Sequence, residues 1–213
     1  MTADRCADLI VLGVRGQAQS ARAAAGVGAE VQNSMLALVE QLRGGVRVRL
    51  EAIRYPASAA AFDHDVETGR RRLLARLAAL GSACPHSRFA LMGYSEGADV
   101  VHRAVAGLSA TQASNIAVVA VLGDPLRLPA DHVATESYGT GHLKGRGSIH
   151  EGPRWSKVVS ERVITFCHAD DNVCNAPPSG RRSDISTTHR TFYEKRSSAR
   201  VTAERMARVI GTL

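Results

Sequence analysis

The chain has 213 residues, 45% of them hydrophobic and 22% charged, a composition that suits an ordinary globular domain and excludes a disordered chain. Its net charge is +7, carried almost wholly by arginines scattered along the chain, with lysine only at 144, 157 and 195. Since no basic run is interleaved with aromatics, a nucleic-acid partner is not expected, whereas a basic surface favours peripheral adsorption to an anionic envelope. No apolar run reaches the length of a membrane span, and the first residues show no signal-peptide core.

Residues 7–14, ADLIVLGV, form a short apolar run that ends in Gly and Arg, as a central strand would. Residues 28–43 carry apolar positions at helical spacing and stop at Gly44-Gly45, and 46–53 alternate apolar and polar. Residues 62–80 form an amphipathic helix with acids early and arginines late, an order the helix dipole favours. A strand at 88–95 leads into a helical pattern, a buried strand follows at 115–125 and another at 162–168. Residues 126–160 read as a polar, glycine-rich loop, and 187–213 as a terminal helix. Five strands separated mostly by helices imply an α/β fold: one parallel sheet covered on both faces, in one domain over 1–213. In such sheets ligands sit at the carboxyl ends of the strands.

The chemistry concentrates at Gly93-Tyr94-Ser95-Glu96-Gly97, a G-x-S-x-G pattern between a strand and a helix. That context is what a nucleophile elbow requires, with the serine in a strained turn at a helix N-terminus where free N–H groups face developing negative charge. A serine hydroxyl needs a base, and elbow hydrolases run in the chain order Ser, acid, His. Of eight histidines, His189 alone lies beyond the acidic pair Asp170-Asp171 and is the natural base. Spacing leaves Asp170 and Asp171 both open as the acid. Asp124, beside Pro125, reads as a turn residue and His102 as structural; His142 and His150 lack a third partner, so no metal is expected.

Cysteines at 6, 84, 167 and 174 allow three pairings. Cys167 with Cys174 would close a short loop around the acidic pair; Cys6 with Cys84 would tie the N-terminus to the start of a later strand. Disulfides would place the chain in an oxidising compartment.

Taken together, these segments resemble the cutinase family of serine esterases: CADLIVLGVRG (6–16), CPHSRFALMGYSEGADVV (84–101), VLGDP (121–125), CHADDNVC (167–174) and THRTFY (188–193). The resemblance implies a minimal α/β-hydrolase, a three-layer sandwich on a five-stranded parallel sheet. It also implies a secreted or envelope-located monomer, without cofactor, that hydrolyses cutin-like, lipid or short- to medium-chain esters. Its register in CHADDNVC assigns the acid to Asp171, giving Ser95, His189 and Asp171 as catalytic residues. The backbone N–H groups of Gln17 and Glu96 become the oxyanion donors, and Cys6–Cys84 and Cys167–Cys174 the disulfides.

Three features depart from the family pattern. Glu96 replaces the usual glutamine, Gln17 replaces a serine or threonine, and 18 positions separate Asp171 from His189. They leave two alternatives: an esterase for mycolyl or acetyl-polysaccharide esters of an envelope, or a weakly active or inactive relative that binds lipid or a partner.

Overall fold

The computed structural model describes residues 6–42, 45–149, 151–177 and 184–211. The elements in chain order are β1 (Leu9–Val14), α1 (Ala29–Gln41), β2 (Val48–Ala52), α2 (Phe62–Ala83), β3 (Arg88–Tyr94) and α3 (Glu96–Ala106), and then α4 (Ala110–Ala113), β4 (Ile116–Leu122), β5 (Ala134–Tyr138), β6 (Val163–His168), α5 (Thr187–Thr191) and α6 (Arg196–Gly211). All strand pairings are parallel, and the sheet order is β2-β1-β3-β4-β6-β5.

Alternation along each strand distributes the core between the two faces. Ile10, Leu12 and Val14 of β1 join Leu73, Leu77 and Leu80 of α2 and Val101 and Val105 of α3. Leu9 and Val11, pointing the other way, join Val31, Met35 and Leu38 of α1 and Ala203 and Met206 of α6. Strands β1, β3 and β4 are buried on both faces, which is why they read as continuous apolar runs.

Three expectations change. The sheet has six strands rather than five, because β5 lies within the stretch that reads as loop. Its residues, ATESY, alternate between exposed and half-buried, as suits an edge strand with one solvated face. Pairing with β6 makes it a strand, helped by a Thr135–Thr165 hydroxyl contact of 3.0 Å and a Glu136–Arg205 ion pair of 2.6 Å. The tail is two helices, not one, with a break at 192–195. Helix α2 runs on to Ala83, so its arginines sit mid-helix rather than in the last turn; Arg76 there pairs with Glu51 of β2. Residues 43, 212 and 213 of the expected helices, together with Gly44 at the expected stop and His150, lie outside the described residues.

Because the strands are parallel, their carboxyl ends share one edge of the sheet. Arg15 to Gln17 follow β1, Ser95 follows β3, Gly123 and Asp124 follow β4, and Asp171 follows β6.

Candidate active site

Ser95 occupies the turn between β3 and α3 with φ 55° and ψ −121°, a conformation costly for any residue with a side chain. The flanking glycines make the turn feasible by close approach. A Cβ on Gly93 would stand 2.2 Å from the Gly97 carbonyl oxygen, and one on Gly97 2.3 Å from that of Val14. Ser95 N–H donates to the Leu122 carbonyl at 2.9 Å, which fixes the elbow to β4.

The Ser95 hydroxyl lies 2.9 Å from His189 Nε2. On the other side of that ring, Nδ1 lies 3.0 and 2.9 Å from the two Asp171 carboxylate oxygens. Asp171 is fully buried, whereas the Asp170 side chain is 80% exposed, so the carboxylate brought to His189 is that of Asp171. Burial alone would raise the Asp171 pKa. Hydrogen bonds from His189, Tyr193 and the Val173 N–H, together with the charge His189 carries when protonated, outweigh it and hold Asp171 below the usual carboxylate value.

Several local features place these groups. Asp171 Oδ1 accepts from Val173 N–H at 2.8 Å inside the loop closed by the Cys167–Cys174 disulfide. The other disulfide joins Cys6 to Cys84. His189 sits in the first turn of α5, where its N–H donates to the Ser186 hydroxyl at 3.1 Å. Asn172 ties the two segments, accepting from Ser186 N–H at 2.9 Å and donating to the Asp184 carbonyl at 2.8 Å. The long step from acid to base is therefore stapled at both ends, although residues 178–183 within it lie outside the described ones. Gly123 leaves room for the dyad, since a Cβ there would meet His189 Cε1 at 2.8 Å and Asp171 Oδ2 at 3.1 Å.

Among the described residues, the backbone N–H groups of Gln17 and Glu96 have no acceptor, as donors kept for an oxyanion would. The loop carrying Gln17 is held by Gly16 N–H donating to Gln19 Oε1 at 2.7 Å and Gln19 Nε2 donating to Glu30 at 2.7 Å.

Residues that the sequence did not single out complete the surroundings. Tyr193, fully buried, donates its hydroxyl proton to Asp171 Oδ2 at 2.6 Å and accepts from His168 N–H at 3.0 Å. Tyr94 stacks on the His189 ring at 5.1 Å and donates to the His189 carbonyl at 2.7 Å. The buried Arg127 guanidinium donates to the carbonyls of Cys174, at 2.6 Å, and Gly145. The four-residue step from His189 to Tyr193 was the one available signal, since it can return a side chain to the same side. His102 and Asp124 form a separate buried pair at 2.8 Å, in keeping with structural roles.

The cutinase family profile matches residues 5–203. Carboxylesterase Culp1 of Mycobacterium tuberculosis is 29% identical over 172 residues, 81% of this chain and 70% of that protein. Cutinase CUT2 of Pyricularia oryzae is 32% identical over 179 residues, 81% of this chain and 71% of that one. A cutinase-like protein from Cryptococcus sp. superposes with a TM-score of 0.76 at 18% identity, covering 99% of this chain and 98% of its own. The catalytic core of acetyl xylan esterase from Trichoderma reesei gives 0.72 at 19%, covering 97% and 98%. The structures share the fold, and the profile covers nearly the whole sequence, from the leading cysteine segment into the final helix: the chain belongs to the cutinase family.

Proposed function

We propose that this chain, a carboxylic ester hydrolase, cleaves its substrates through Ser95, His189 and Asp171. The observation that carries the reading is the continuous contact from the Ser95 hydroxyl through His189 to buried Asp171, at 2.9 Å in each step, beginning at a strained elbow. Ser95 Oγ attacks the ester carbonyl carbon while His189 Nε2 takes its proton, and Asp171 holds the ring tautomer and stabilises the imidazolium. The tetrahedral oxyanion faces the N–H groups of Glu96 and Gln17. Collapse breaks the bond to the alkoxy oxygen, which leaves with the proton from His189. Water, deprotonated by the same histidine, then releases the acid from the acyl-enzyme.

The names of the relatives, a carboxylesterase and a cutinase, support carboxylic esters of the cutin-like kind as substrates, and lipid and short- to medium-chain acyl esters belong to the same proposal. Two disulfides support an extracellular or envelope location, and the +7 charge supports peripheral contact with an anionic envelope.

The test is hydrolysis of p-nitrophenyl esters from acetate to palmitate by wild type and Ser95→Ala, alongside labelling with a phosphonate serine probe. Wild type should turn over and label, and the variant should lose both, with kcat/KM down by at least about 10³-fold. A folded Ser95→Ala protein that keeps its rate would overturn the assignment.

A further inference from the structure

The residue after the candidate nucleophile carries a buried carboxyl that the reaction above does not use. Glu96 is 1% exposed, and among the described residues neither of its carboxyl oxygens has a hydrogen-bond partner. Two of the nearby donors are turned elsewhere. The Tyr55 hydroxyl gives its proton to the Arg15 carbonyl at 2.7 Å, and Gln17 Nε2 points to the Ser58 carbonyl at 3.3 Å. Beside the second Gln17 Nε2 proton, Tyr55 and Gln17 also offer acceptors, the Tyr55 oxygen and Gln17 Oε1. A carboxylate buried with no partner on either oxygen is costly, while a carboxylic acid has a proton to give to those acceptors.

The charges around the site lean the same way. Asp99 lies one turn along α3, its carboxylate paired with Arg103, and Asp65 of α2 holds the N–H and hydroxyl of Ser58. Both acids oppose a charge on Glu96. The Arg15 guanidinium packs 5.0 Å from the Tyr55 ring centroid; its Nε and Nη2 donate to the carbonyls of Gln19, Tyr55 and Pro56, while Nη1, like the Glu96 oxygens, has no hydrogen-bond partner among the described residues. Across Ser95 stands His189.

We propose that Glu96 is a positioning residue that works as a neutral carboxylic acid, donating its O–H to the Tyr55 or Gln17 oxygen, and that its ionisation switches the site off. The neutral acid braces Gln17 so that the N–H groups of residues 17 and 96 converge on the oxyanion. Loss of the proton to solvent leaves a buried anion beside the position where the oxyanion must form, and like charges at short range in a dry site are strongly unfavourable. Burial first, then the Asp65 charge, push the Glu96 pKa up to about 7, against partial lowering by Tyr55 and Gln17, so the switch falls near neutral pH.

This inference rests on the Ser95 reading, and the experiment separates the two. The pH profile of kcat/KM is measured from about pH 5 to about pH 9 for wild type, Glu96→Gln and Ser95→Ala. Wild type should fall above pH 7, by about tenfold per pH unit, while Glu96→Gln keeps its rate on the alkaline side. Full activity in Ser95→Ala would remove the reading of the nucleophile itself. Activity that depends on Ser95, with the same alkaline limb in wild type and Glu96→Gln or with none in wild type, overturns the role of Glu96 alone. Infrared spectroscopy of wild type gives a second readout should Glu96→Gln not fold. A protonated-carboxyl C=O band that titrates in step with the alkaline limb supports the proposal, and a carboxyl ionised throughout that range overturns it.

Discussion

The residue with most leverage outside Ser95, His189 and Asp171 is Tyr193. Its hydroxyl is one of three donors on Asp171, and it helps keep that carboxyl ionised despite full burial. Tyr193→Phe removes a hydrogen bond to a charged group without removing the ring, so the stability cost should be about 2 kcal/mol. A purely structural part would stop there. With one lowering influence gone, Asp171 takes up a proton at a higher pH than before, so the acid limb of activity should move upward and kcat should fall more than KM changes. Kinetics across the acid range decide the matter: a limb that stays in place with kcat unchanged would show that Tyr193 only fills space. Nothing in the order Ser, Asp, His advertises this tyrosine, because its contact depends on how the chain turns after α5.

That turn belongs to the elements. The break between α5 and α6 contains neither Gly nor Pro, so helical periodicity runs through it unmarked. The Ser198 hydroxyl stands 2.8 Å from the Phe192 carbonyl and 3.2 Å from that of Tyr193, serving carbonyls that an unbroken helix would have bonded internally. Strand β5 was hidden for the opposite reason, since five residues with polar, half-exposed positions carry no pattern until β6 is beside them. The buried strands and the elbow were legible because continuous apolar runs and a G-x-S-x-G turn are local signals. Edge pairing and helix breaks are decided by contacts distant in sequence.

The two disulfides differ in the same way, one local and one distant. Cys6–Cys84 spans 78 positions far from the chemistry, and Cys167–Cys174 spans 7 around Asp171. Replacing the first pair by serines should cost about 4 kcal/mol and leave kcat intact; replacing the second should cost about 2.5 kcal/mol and lower kcat as well. Denaturant melts paired with kinetics test this contrast, and equal effects on kcat from the two pairs would refute it.

For the whole molecule, the balance of buried acids sets how stability follows pH. Burial raises Glu96 to about 7 and Asp99 to about 6, and it raises Glu30 as well. Asp171 is instead held below its ordinary value. Between the ordinary carboxylate range and the raised value of each group, the unfolded chain has released these protons while the folded chain still holds them on Glu96, Asp99 and Glu30. The folded state then binds more protons, so stability must fall as pH rises through that window. Below it the sign reverses, because protonating Asp171 favours the unfolded chain. Stability should therefore peak near the ordinary carboxylate range, at about pH 4–5, and be lower at pH 8. Glu96 alone accounts for up to about 3 kcal/mol of that decline, from its rise of 4.5 to about 7. Urea unfolding at pH 5 and pH 8 isolates this share, since Glu96→Gln should narrow the gap between the two pH values by stabilising the alkaline form. An unchanged gap would mean that the carboxyl is ionised in the folded protein at both, and the protonated Glu96 that the acid-favouring site requires would be lost with it.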